Sequence, residues 1–547
     1  MQENYNRSGQ QFRFRKNDAI GAADAEFDDR FLESCFVDSG DLSALRDCHD
    51  PKRIIVGRTG AGKSALLKML SKVENNVVQI APENLSLSFL ANSEVLRFFE
   101  AAGTNLDVFY QLLWRHVLVV ELIKYHYGIN NDGAQNSFLK SLAQVFTKDK
   151  AKQTAIEYLK SWGGSFWNET EYRVKEVTGK IESELRASLE GSLLENKIGA
   201  SGTQKLSEEE RLEVVTRGAR VVSQVQIKAL SDVLRLLGEE IFTDPLNRHF
   251  ITIDDLDTRW VDDSLKYKLI RALIETIKTF RQVKNVKVVV SIRLDLLHRV
   301  IESTKDSGFQ SEKYESLYLS MRWSNSEIME MIEKRIASLV KQRYTSQPVA
   351  VSDLFPKKIG KIDFSDYLTQ RTFLRPRDAI LFINECLERA ADRQQVTAQI
   401  VTDAEAAYSR KRFLSLQEEW GTVYPKISVC VEYLMHRPSK FKYVDLSEGS
   451  LNNWIETRLL ADDDSIDPVV RIAEQVYLAG SGEFNQIRIA LVSALYVVSA
   501  IGIKPDSTTP VLWSYYSSHT PNFSSLTNNS VVHIHPTFWR VLGTKIL

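Results

Sequence analysis

Apolar residues along the chain follow two periods. Short, mostly apolar runs at 53–56, 76–80, 249–253, 286–290 and 317–321 are bounded by polar or turn residues, and each reads as a strand. Elsewhere the apolar positions recur at helical spacing. The pattern predicts helices near 65–71, 93–101, 106–127, 135–160, 168–196, 207–238 and 263–278, with 199–203 as a linker and Ser207 to Glu210 as a capping box. Strands alternating with helices imply a parallel α/β sheet. A long, mainly helical insertion separates its first two strands from the rest.

After residue 324 the pattern turns helical. One amphipathic helix covers 326–339, and another opens at the stretch 371–386, with Pro376 at a favourable first-turn position. Helices near 403–419, 424–436, 450–460, 467–479 and 484–500 precede two aromatic or β-branched strands at 511–516 and 530–535. Helices followed by strand, loop and strand outline a winged helix. The expected organisation is a loose arm over 1–20, a core formed by 21–92 and 246–324, and a helical insertion over 93–245. A helical lid over 325–402 and a winged-helix-like domain over 403–547 complete it.

With 547 residues the chain is too long for one ordinary core. Its 70 basic and 71 acidic side chains leave a net charge of −1, so no global field draws it to nucleic acid or membrane, and such contact requires a local patch. The most apolar helical stretch, 109–124, carries Arg115, His116 and Glu121 and is too short and charged to span a bilayer. Cys35, Cys48, Cys386 and Cys430 are scattered, with no pairing suited to zinc; this usage fits a reducing cytoplasm.

The chemistry concentrates where the first strand ends. Gly57, Arg58, Thr59, Gly60, Ala61, Gly62, Lys63 and Ser64 spell the phosphate-loop pattern between a strand and a helix, with Leu66 in that helix's first turns. Glycines let successive N–H groups wrap polyphosphate, the helix start adds partial positive charge, Lys63 reaches the β and γ phosphates and Ser64 suits Mg2+. The strand at 249–253 delivers Asp254 and Asp255 to the same sheet edge. Asp254 is the metal candidate. Asp255 is the candidate for orienting or deprotonating water, with Asp257 as a rival. Arg293 closes the next strand, where it either reads the γ phosphate or forms a salt bridge to Asp295. Arg375 and Arg377, at the start of a lid helix, are equal candidates for reaching back to nucleotide, with pairing to Asp378 and other surface acids as the alternative. His533 and His535 alternate in a strand, and one packed and one exposed is the reading that alternation favours over a shared metal.

These residues together resemble a known group. The glycine loop at 57–64, the Ile-Asp-Asp-Leu-Asp run ending at Asp257, the Ser-Ile-Arg ending at Arg293 and the Arg-Pro-Arg-Asp from Arg375 to Asp378 resemble the additional-strand (ASCE) P-loop ATPases, in particular the KAP and STAND groups. The resemblance spans about 20–400. It implies an Mg2+-dependent ATPase of genome-island type, tied to phage defence or DNA repair, acting as a switch with a homo-oligomeric or protein partner. KAP insertions often carry membrane helices and this one has none; Thr258 stands where an Arg is usual. Related AAA+ origin-binding ATPases order core, lid and winged helix in the same way, which makes DNA a candidate partner by analogy.

Overall fold

A computed structural model describes residues 13–85, 96–98, 102–128, 207–224, 227–304, 311–344, 348–461, 467–477, 483–516 and 520–546, with isolated positions between 137 and 187. The helices expected at 135–160 and 168–196 lie outside the described residues. The chain divides into two units, one comprising Gly40–Arg58 and Lys63–Met321, the other Met1–Ser39, Thr59–Gly62 and Arg322–Leu547.

The first unit is built on a five-stranded sheet of β1 (Ile54–Gly57), β2 (Val77–Ile80), β3 (His249–Ile253), β4 (Val286–Arg293) and β5 (Tyr318–Ser320). Their order is β2-β3-β4-β1-β5, and every pairing is parallel. β1 and β3 are buried along their whole length and β4 along all but Arg293, as central parallel strands covered on both faces must be. β4 lies between β1 and β3. Together with the strand-loop-helix passage at 54–73, this makes the unit a P-loop NTPase fold.

Helix α1 (Lys63–Val73) follows the loop, and α2 (Asp107–Tyr127) packs along α3 (Asp263–Phe280). Trp114 on α2 is fully buried and donates Nε1–H to the Leu269 carbonyl at 2.8 Å. Asp262 caps α3 by accepting from the Leu265 N–H at 3.2 Å. At the other end of the sheet Lys287 breaks the apolar run of β4. Its buried ammonium donates to the Ala44 and Asp47 carbonyls, both at 2.7 Å, and burial lowers its pKa to about 8. Among the described residues no helix is long and apolar enough to cross a membrane.

The second unit carries helices α5 (Asn325–Arg343), α6 (Pro376–Arg389) and α7 (Ala398–Trp420); α4 (Leu294–Ser303) precedes them in the sheet unit. Ser324 and Glu327 form a capping box on α5, and Pro376 occupies the first turn of α6 as the sequence predicts. Residues 13–20, expected in a loose arm, pack instead: Phe14 and Ile20 are buried in the same apolar cluster as Phe31, Ile332 and Ile383. Residues 21–39, expected as part of the core, belong here instead, because Asp28 is sealed against buried Arg335 at 2.5 Å and Phe31 joins that cluster. Polar flanks hid two buried aromatic anchors.

Short β6 (Lys358–Ile359) and β7 (Ile362–Asp363) form a hairpin. The C-terminal part places β8 (Lys440–Lys442), β9 (Ile501–Lys504) and β10 (Val531–Ile534) in an antiparallel sheet of order β8-β10-β9. Helix Ile427–Glu432 precedes β8, and the α-helices Glu448–Trp454, Pro468–Tyr477 and Phe484–Val497 lie between β8 and β9. The strand expected at 511–516 is corrected. Only Leu512 makes a bridge, to Ile503. Trp513 then folds over Gly502, and Ser514 bonds Ser499 and the Val497 carbonyl, which turns the chain away, so that Ile501–Lys504 supplies the strand instead.

Candidate functional site

In the sheet unit, parallel pairing brings the informative strand ends to one edge. Gly57 at the end of β1 pairs with Arg293 at the end of β4, and Ile253, which precedes Asp254, pairs with Val290. α1 begins at Lys63, with Ser64 in its first turn, and Leu66 is buried. Lys63 donates Nζ–H to the Arg58 carbonyl at 3.2 Å. Burial pulls the Lys63 pKa down to about 8, against the upward pull of Asp254, Asp257 and Asp295 and with a further downward push from Arg293. One lysine thus feels all four charged groups.

Asp254 is half-buried, and its Oδ1 accepts the Asp255 N–H at 3.0 Å. Asp255 is exposed in a left-handed conformation (φ 57°), which aspartate tolerates better than most side chains. Its carbonyl accepts from the Thr258 hydroxyl at 2.9 Å, which closes the turn after β3. Buried Leu256 anchors that turn.

Arg293 is held as a fork. Nε and Nη2 donate to the two oxygens of Asp295 at 2.9 and 3.0 Å, and Nη1 donates to Asp257 at 3.0 Å. Burial works against the charge on Arg293, but Asp295 and Asp257 outweigh it and the net pKa shift is upward. The Asp295 bridge weighed as an alternative for Arg293 is therefore present, and Asp257, the rival water-positioning acid, is engaged with Arg293. Asp295 is buried and also receives Arg299 at 3.1 Å, which makes it the anchor of this edge. Its signal in the sequence was no more than an acid two positions after Arg293.

In the helical unit lie Thr59, Gly60, Ala61 and Gly62, with Gly60 and Gly62 at φ 77° and 96°. Left-handed glycines of this kind turn successive N–H groups to one side of a loop. Arg375 and Arg377 both meet this segment, and both through its main chain. Arg375 Nη1 donates to the Thr59 carbonyl at 2.9 Å, and the Arg377 N–H donates to the Gly60 carbonyl at 3.4 Å. The Arg375 guanidinium is buried, bonded to Asp378 at 2.7 Å and Glu419 at 3.2 Å. Arg377 pairs with Asp24. Trp323, which nothing in the sequence marked, donates Nε1–H to the Ala61 carbonyl at 2.8 Å. His535 is buried and bonded to the Tyr515 hydroxyl at 3.1 Å, while His533 is half-buried.

The side chains present fit a magnesium-bound nucleotide. A glycine loop, a helix start and a lysine suit polyphosphate; Ser64 with Asp254 suits Mg2+, which takes one or two protein oxygens beside phosphate and water. Among the described residues no cluster of three or more His, Cys, Asp or Glu offers a site for a metal held by protein alone.

Comparison with known proteins gives three results. A family model described as a FunZ-associated C-terminal helical domain matches residues 326–417, which spans most of α5 to α7. An 80.3 kDa protein of Escherichia coli (strain K12) named after transposon gamma-delta is 22% identical over 547 residues, covering 96% of this chain and 67% of that protein. Among solved structures, the Walker-type ATPase PABY2304 of Pyrococcus abyssi is 11% identical with TM-score 0.35, covering 88% of this chain and 94% of that one. The Aeropyrum pernix ORC2 protein, in ADPNP–ADP complexes, is 11% identical with TM-score 0.32, covering 91% and 96%. At these similarities the reading of the site rests on its own residues.

Proposed function

We propose that this chain binds ATP with Mg2+ and hydrolyses it as a nucleotide-driven conformational switch. The supporting observation is the sheet edge to which parallel pairing brings Gly57, the strand end before Asp254, and Arg293 with its bonds to Asp257 and Asp295. Lys63 and the amides of 57–64 would hold the polyphosphate, and Ser64 and Asp254 the Mg2+. The bound ion would neutralise charge on the phosphate oxygens. Asp255, exposed on its turn, would orient the attacking water and accept its proton. Arg293, fixed by Asp295 and Asp257, would counter charge developing on the γ phosphate. Hydrolysis would then move the helical lid over 325–402, the winged-helix-like domain over 403–547 or the helical insertion over 93–245.

A second reading, a DNA-engaging motor or loader, is favoured by the outer face of the C-terminal sheet. The register puts Lys440, Lys442 and Lys504 on one face with His533 between them, and Lys440 and Lys504 both push the His533 pKa down, secondary to burial. A basic face on a winged-helix outline suits a phosphate backbone. A setting in phage defence, DNA maintenance or a mobile element agrees with the KAP and STAND resemblance and with the name of the Escherichia coli relative.

The test is ATP turnover by wild type and Lys63→Ala, with and without duplex and single-stranded DNA, alongside native mass. Turnover abolished by the substitution and indifferent to DNA supports the switch. Stimulation by DNA with a ring-sized mass supports the motor, and bound ATP without turnover an interaction scaffold. A wild-type protein that neither binds nor hydrolyses ATP refutes the proposal.

A further inference from the structure

Three successive carbonyl oxygens in the glycine loop are taken by donors of the helical unit: Thr59 by Arg375 Nη1 at 2.9 Å, Gly60 by the Arg377 N–H at 3.4 Å, and Ala61 by Trp323 Nε1 at 2.8 Å. In a trans peptide the C=O and the following N–H point in opposite directions. Fixing these carbonyls therefore directs the N–H groups of Gly60, Ala61 and Gly62 away from the three donors. Gly60 leaves no slack, since a Cβ built there would lie 2.7 Å from the Arg377 Cβ.

Arg375 is itself immobilised. Its Nε donates to Asp378, which also receives Arg412 at 2.9 Å; its Nη1 is shared with Glu419; and its guanidinium lies 4.8 Å from the centre of the Phe373 ring. Leu374, between these two residues, is left-handed at φ 49°, a conformation that a leucine holds only where its surroundings impose it. Phe373 in turn packs on the C-terminal part, with ring centres 4.5 Å from His535 and 5.8 Å from both Tyr515 and Phe538. Just before Phe373, the Arg371 carbonyl accepts from the Thr537 hydroxyl at 2.6 Å.

We infer that Arg375 and Trp323 are positioning residues that aim the loop amides, and that the strap 373–377 links the state of the loop to the C-terminal sheet. The inference rests on the nucleotide reading for its consequence, though not for its geometry. Arg375 acts on phosphate through the Thr59 peptide. A nucleotide that draws the loop amides toward it must pull on the three carbonyl bonds, and the strap carries that pull to Phe373 and the aromatic cluster around His535.

Hydrogen exchange on the full chain tests this with Trp323→Phe, which keeps a ring and deletes one donor, and Arg375→Lys, which keeps charge and loses the fork. Without ligand, both should speed exchange of the amides of 59–64 by about threefold or more while His249–Ile253 and Val286–Arg293 stay at wild-type rates. Unchanged loop exchange in Trp323→Phe overturns the positioning role, even if Arg375→Lys fails to fold. With ATP, Trp323→Phe should raise Kd by about two- to tenfold, the worth of one hydrogen bond, and a wild-type Kd likewise counts against the role. ATP should alter exchange at Ile501–Lys504 and Val531–Ile534 in wild type and less so in the variants. Tight ATP binding with no change there overturns the linkage. If wild type binds no ATP, the nucleotide reading and the linkage fall, while the ligand-free arm still decides whether the loop is positioned.

Discussion

Asp378→Asn removes one charge from a buried cluster and leaves its shape nearly intact. The carboxylate is fully buried and accepts from Arg375 Nε at 2.7 Å and Arg412 Nη1 at 2.9 Å. Burial works against its ionisation, yet Arg375 and Arg412 outweigh burial and hold its pKa below the usual carboxylate range. With Glu419, which lies 3.2 Å from Arg375 and 3.7 Å from Arg412, the four side chains carry two charges of each sign. The substitution leaves two guanidinium groups facing one carboxylate. Breaking a buried pair in this way costs about 3–5 kcal/mol, and the remaining Glu419 puts the expectation near the lower end, about 3 kcal/mol. For a unit of this size that is a fall in Tm of roughly 6–12 °C. Denaturant titration followed by far-UV circular dichroism measures it, with Glu388→Gln on an exposed position of the same helix expected within about 0.5 kcal/mol of wild type. A loss below about 1 kcal/mol for Asp378→Asn would mean that Glu419 and water satisfy both arginines and that the cluster does not immobilise Arg375.

Three other outcomes follow from single sites. His249 is buried against His126, with ring nitrogens 3.0 Å apart, and burial with the neighbouring imidazole lowers its pKa to about 4. The unfolded chain then takes up the proton first as pH falls from 6.5 toward 4, so stability is lost across that window; wild type should lose about 2.5 kcal/mol more than His249→Phe between pH 7 and 4.5, and equal losses would refute the shift. A Lys63 with a pKa of about 8 is charged below that pH, so ATP affinity should be level there and fall by up to about tenfold per unit above it, because binding must then take up a proton; calorimetry showing a flat Kd from pH 7 to 9.5 would count against the role of Lys63. Gly502→Ala places a Cβ 2.7 Å from the Trp513 ring and should cost about 1–3 kcal/mol with altered tryptophan fluorescence, whereas a neutral variant would show that the indole moves aside freely.

What the sequence determined by itself was the glycine loop and the strands that serve it. β1, β3 and β4 are short, mostly apolar and β-branched runs, a signal that local chemistry writes directly, and their last residues, Gly57, Ile253 before Asp254, and Arg293, come to one edge because parallel pairing leaves no other place for them. Pro376 at a helix start was legible for the same local reason. The tertiary structure decided the partners. Asp378 was one of two partners the sequence offered Arg375, and only the fold adds Glu419 and the Thr59 carbonyl, which enclose its guanidinium. Phe14 and Ile20 sit in polar text and are buried by residues more than three hundred positions away. Trp323 carries no motif, and the exchange of 511–516 for Ile501–Lys504 as a strand turned on an indole lying over a glycine. Periodicity and motif spacing are encoded within a few residues of the chain; the partner of a buried charge or an indole N–H is set by whichever distant segment packs against it.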